Sequence, residues 1–117
     1  MTLPLTPAIL EAAYEFLRAT PPFVRWRLPH ADEVELRVCR TRQWMGLFDS
    51  GSDDRSRISV SSARIGHTDT LLRSVAHEMI HLYQFERGTA TASEHNAEFF
   101  RLAAQIARHH GFDPKEL

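Results

Sequence analysis

The 117-residue sequence contains one cysteine, Cys39. No disulfide can form within the chain, and a zinc finger or ribbon built from several cysteines is excluded. Lysine is almost missing too, since thirteen of the fourteen basic residues are arginine. That skew speaks of genome composition more than of function. The net charge is only -1, so no global field draws the chain to nucleic acid or membrane. No apolar run is long enough to span a bilayer, and the N-terminus lacks the charged-then-apolar layout of a secretory signal. The expected location is cytoplasmic. No repeat, low-complexity tract or linker divides the chain, so one domain over residues 1–117 is expected.

The material present is ordinary for a globular protein, with 43% hydrophobic and 25% charged residues. Arg25, Arg27, Arg37, Arg40 and Arg42 cluster around Trp26 and Trp44, which suggests a local nucleic-acid patch. Asp32, Glu33 and Glu35 dilute it, and a solvated face is the simpler reading.

Thr6-Pro7 opens a helix, with Thr6 as cap and Pro7 where a missing N–H costs nothing. Ile9, Leu10, Ala13, Phe16 and Leu17 carry it to about Ala19, before Pro21-Pro22. VELRVCR (34–40) alternates apolar and polar residues as a half-buried strand does. WMGLFD (44–49) and RISVSS (57–62) are two more strands, expected to pair antiparallel around the polar turn SGSDDRS. A long helix runs from about Thr70 to Glu86 or Arg87, capped by Thr68 or Asp69 and stopped by Gly88. A last helix, capped by Thr91 or Ser93, reaches Arg108 to His110 before Gly111. The expected class is α+β: a helix, a small mostly antiparallel three-stranded sheet, then two packed helices.

The long helix contains HEMIHLYQ (77–84). A hydrolytic zinc needs three protein ligands and one open position. His77 and His81, at i and i+4, project from one helix face about 40° apart. Glu78 points about 100° round. There it can take a proton from a water at the open position without binding the metal itself. With seven histidines and nine glutamates, the expected number of accidental H-E-x-x-H matches is on the order of 0.03. Helical phase argues further against accident, because Leu72, Val75, Met79 and Leu82 form an apolar stripe roughly opposite the two histidines.

The third ligand is less determined. Gln84 and Arg87 stand where H-E-x-x-H-x-x-G-x-x-H requires Gly and His, so that extension is absent. His95 in SEHNAEFF shares a helical stripe with Phe99, Leu102 and Ile106. A fold-back at Gly88 would turn it toward His77 and His81. Glu94 and Glu98 are rivals. Cys39 is a weaker one, because RVCRT lacks the glycine and glutamate context of the deformylases, and it reads as a small buried residue. No oxyanion donor stands out among Arg64, His67, His109 and His110, and Tyr83 points to the helix back.

SVAHEMIHLYQ followed by EHNAEFF resembles the SprT-like family of zinc metalloproteases. His77, Glu78, His81 and His95 match its motif positions, with Asn96 and Phe99 in the surroundings. The resemblance covers residues 57–110 best and is weak before residue 33. It implies a zincin-like domain holding Zn2+ on His77, His81 and His95, with Glu78 as general base of an endopeptidase. It also implies a cleft whose edge strand takes an extended peptide by strand addition, RISVSS by position. The implied partner is a protein or peptide substrate, with DNA as a second partner because some members degrade proteins crosslinked to DNA. The cysteine zinc ribbon found at the C-terminus of many members is missing from this sequence, a compact form. Other readings are a non-catalytic zinc-containing module that binds DNA or protein, a non-peptidase metal hydrolase, and a repressor-cleaving protease using Glu94 or Glu98.

Overall fold

A computed structural model describes residues 4–50 and 55–117. Helix α1 (Pro7–Arg18) begins as its sequence dictates, with the Thr6 hydroxyl accepting the Ile9 N–H at 3.2 Å. Leu10, Ala13, Tyr14 and Leu17 turn inward at helical spacing. The Tyr14 hydroxyl donates to the Pro29 carbonyl at 2.6 Å, and the Glu15 carboxylate accepts the Ala31 N–H at 2.7 Å. These two bonds hold the irregular segment after α1 against the helix.

Three short strands follow: β1 (Glu35–Cys39), β2 (Gly46–Asp49) and β3 (Arg57–Ser61). β2 and β3 pair antiparallel, as the polar turn between them suggests; residues 51–54 of that turn lie outside the described residues. β1 pairs with β3 in parallel, so the sheet has the order β1-β3-β2 and is mixed rather than mostly antiparallel. The cause is the connection over residues 40–45. It passes over the C-terminal end of β3, pinned by Ser62 N–H to Cys39 carbonyl at 2.8 Å and Ser61 N–H to Met45 carbonyl at 2.9 Å. β2 is thereby carried to the far side of β3.

RISVSS is therefore the central strand and not the cleft edge. Its burial explains this: Ile58 and Val60 on one face are fully enclosed, and Ser59 and Ser61 on the other are buried as well. Such two-sided burial suits a strand with neighbours on both sides. Among the described residues, the sheet edge beside α2 belongs to β2.

Helix α2 (Thr68–Arg87) ends at Gly88, whose φ of 72° is the left-handed cap that glycine adopts without strain. Its N-cap is His67, one residue earlier than expected, and the His67 side chain makes no capping bond. Asp69 in the first turn instead pairs with Arg73 at 3.1 Å. Leu71, Val75, Met79 and Leu82 are buried along the back of α2, with Leu71 in place of the expected Leu72, which is only partly buried. Each such side chain contributes roughly 1.5–3 kcal/mol by leaving water. Helix α3 (Ala97–His110) starts later than expected. Neither Thr91 nor Ser93 caps it; Asn96 does, its Oδ1 accepting the Phe99 N–H at 2.9 Å. Residues 89–96 thus form an irregular link that ends at His95 and Asn96. Cys39 is only partly buried, on β1. Among the described residues no helix is long and apolar enough to cross a membrane.

Candidate metal centre

Helix α2 presents His77 and His81 one turn apart on the face away from its apolar back. The link presents His95 opposite them. Their ligand nitrogens all lie within 4.8 Å of one another. Ring centroids are 5.1 Å apart for His77 and His81, 5.0 Å for His77 and His95, and 5.4 Å for His81 and His95. Three imidazoles set tetrahedrally around zinc, with Zn–N of about 2.1 Å, would have centroids about 5.2 Å apart. The donor set and its spacing therefore fit a tetrahedral metal with a fourth position left open.

Phe99 explains how an exposed link residue is held to this spacing. Its buried ring lies 4.9 Å from His77, 4.9 Å from His81 and 4.4 Å from His95, beneath all three imidazoles. A second device is polar. The buried Gln84 amide on α2 donates to Asn96 Oδ1 at 2.9 Å and to Glu98 Oε1 at 3.0 Å. Asn96 in turn donates to the Thr89 carbonyl at 3.3 Å. One side chain thus caps α3, fixes the link and ties it to α2. Gln84 occupies the position of the absent motif glycine. Its value as a buried clamp could not be read from the sequence, although Asn96 before a helical pattern was a legible cap signal.

Glu98 is occupied by Gln84 and by Arg101 at 3.7 Å. Neither Glu94, Glu98 nor Cys39 belongs to the clustered ligand atoms among the described residues. Cys39 Sγ instead lies 3.5 Å from the Val60 carbonyl. His67 sits at the start of α2. His110 lies at the far end of α3, 3.1 Å from the Thr20 hydroxyl and stacked on Phe112. Tyr83 stacks on Trp26 at 4.4 Å, on the helix back.

Glu78 is buried, with 6% of its surface exposed, directly beneath β2. Burial pushes its carboxyl up to about 8, and the negative charge of Glu94 adds to the rise. The approach of β2 is close enough to require a glycine. A Cβ on Gly46 would lie 2.9 Å from Glu78 Oε2. Burial also pushes His77 down to about 4, helped by repulsion from His81 and His95. The Leu117 backbone beside His77 opposes that shift. His81 is lowered by burial and by His95. His77 and His81 are therefore neutral near pH 7, the form that binds a metal.

Two hollows meet at Gly46, His77 and Glu78. One, of about 310 Å³, runs between β2 and the link and is lined by Phe48, Phe85, His81 and His95. The other, of about 340 Å³, contains Arg64, Arg73 and Leu117. Together they form a groove past the histidine cluster, with β2 as one wall.

The SprT-like family model matches residues 13–116. The chain belongs to the SprT-like family. The match starts well before residue 33, so the second half of α1 and the three strands fall within it, and not only the histidine-bearing helices. No curated protein matches the chain. In this SprT-like chain His77, His81 and His95 are clustered so that they could hold a metal ion.

Proposed function

We propose that the protein is a zinc-dependent endopeptidase acting on extended or unfolded protein segments. The observation that carries this reading is the placement of Glu78. A carboxyl buried beside three converging histidines, at the junction of an open groove, serves no purpose in a purely structural metal site. Three imidazoles with one open position suit zinc among the common divalent ions. Bound there, the metal would supply Lewis acidity and ease deprotonation of a water.

The chain's own residues carry the other steps. β2 lies at the edge of the sheet beside α2, and an extended peptide adds to such an edge as a strand. That places a peptide carbonyl beside the histidines and Glu78. Glu78 accepts a proton from the attacking water and returns it to the departing amine. Arg64, which lines the second hollow with His77 and Glu78, is the candidate donor to a developing oxyanion.

The test is cleavage of an unfolded protein such as casein. The zinc-loaded protein should cut it, chelation should stop the reaction, and added zinc should restore it. Cleavage that survives complete removal of metal would overturn the proposal.

A further inference from the structure

Large apolar side chains left in water are few among the described residues, and three of the five lie around the groove. Leu47 and Phe85 line it, at 41% and 48% exposed, and Phe100, at 62%, lies 6.3 Å from His95. Exposed aromatic surface concentrated at one cleft marks something that binds there.

The geometry makes the apolar part specific. Phe85 follows His81 by four residues, so it continues the row His77, His81 along the same face of α2, one turn or about 6 Å further. Across the groove, Phe48 follows Gly46 by two residues on β2 and so faces α2 as Gly46 does. The Phe48 and Phe85 rings meet at 5.8 Å. Strand and helix therefore run in the same direction along the groove. Gly46 stands against Glu78 with no side chain, and two residues on along β2 and seven residues on along α2 an aromatic pair closes the wall.

A peptide added to the β2 edge has the same two-residue period. The residue lying on Gly46 and the residue lying on Phe48 are two positions apart and point their side chains to the same side. We infer that the Phe48–Phe85 wall is a specificity subsite. It selects a bulky apolar side chain, aromatic or branched aliphatic, two positions from the substrate residue that rests on Gly46. This rests on the peptidase reading for its substrate, and it adds which side chain the site takes.

The test uses zinc-loaded protein and labelled ten-residue peptides of Ala, Ser and Gly, each with a single Phe moved along the sequence. Cleavage should rise about tenfold or more when Phe occupies one particular position, the scale on which an apolar pocket discriminates. Phe85→Ala should reduce that preference to within about threefold, while Phe16→Ala, exposed on α1, should keep it. Equal cleavage whatever the Phe position overturns the subsite and leaves the peptidase reading intact. If no peptide is cut, the peptidase reading fails. Anisotropy of the same labelled peptides then decides the subsite. Tighter binding of one Phe peptide, lost in Phe85→Ala, supports it; equal binding overturns it.

Discussion

Replacing Gly46 by alanine isolates the role assigned to Glu78. The φ of Gly46 lies outside the left-handed region, so alanine meets no backbone strain. In a strand the change should even favour the fold by a few tenths of a kcal/mol, since glycine costs about 0.5–1 kcal/mol there. What the new Cβ meets is the carboxyl: Oε2 at 2.9 Å, Cγ at 3.2 Å and Cδ at 3.4 Å. Carbon and oxygen need a few tenths of an ångström more, and Glu78 is enclosed, so its carboxyl must swing away from the groove. Displacements approaching 1 Å at a reacting group cost on the order of 100-fold in rate. A partial swing should cost about 10- to 100-fold in kcat, or about 1.4–2.7 kcal/mol of barrier. The assay is steady-state cleavage of a labelled peptide, with zinc content and thermal midpoint measured alongside. Zinc binding should be unchanged and stability equal or higher. Gly88→Ala is the contrasting control: at φ of 72° it should lower stability by about 1 kcal/mol without changing kcat. An unchanged kcat in Gly46→Ala would refute the idea that the carboxyl works from the position beneath β2.

Further outcomes follow from the same geometry. His95→Ala should weaken zinc binding by far more than the 10- to 100-fold typical of a supporting residue, whereas Glu98→Ala should change it little; competition with a chromogenic chelator reads both. Asn96→Ala removes a helix cap and leaves the buried Gln84 amide short of a partner, so chemical denaturation should show a loss of roughly 2–3 kcal/mol. In metal-free protein, Glu78 titrates near 8 when folded against 4.5 as its ordinary value. Between those values the folded state keeps a proton that the unfolded state has lost, so stability falls as pH rises through that window. Glu78→Gln should abolish this fall and stabilise the metal-free protein at pH 8 by roughly 3–5 kcal/mol. His77 acts in the opposite sense. Its folded value is about 4 against an ordinary 6.5, so stability should also fall as pH drops from 6.5 toward 4. Thermal denaturation in chelator between pH 4 and 9 checks both limbs.

The parts that were legible in the sequence are those decided locally. Thr6-Pro7, Gly88 and Gly111 mark helix ends through backbone chemistry acting within one turn. The spacing of His77, Glu78 and His81 follows from helix geometry alone. Strand order was not legible, because alternation in β1, β2 and β3 states which faces are buried but not which strand lies between the others. Ser59 and Ser61 are buried on the face opposite Ile58 and Val60, where small side chains let that strand be enclosed on both sides. His95 was found by the right reasoning in part only. It was placed on a helical stripe, yet it precedes the helix and is positioned by the Phe99 ring and the Gln84–Asn96 bond. The closeness of Gly46 to Glu78 depends on how β2 packs over α2, and no local pattern carries that.

The most direct measurement is single-turnover cleavage of one unfolded substrate by the wild type and by Glu78→Gln at equal zinc occupancy. If His77, His81 and His95 hold the metal and Glu78 moves the proton, Glu78→Gln keeps its zinc and loses cleavage by about 100-fold or more. Equal rates at equal occupancy would contradict the account.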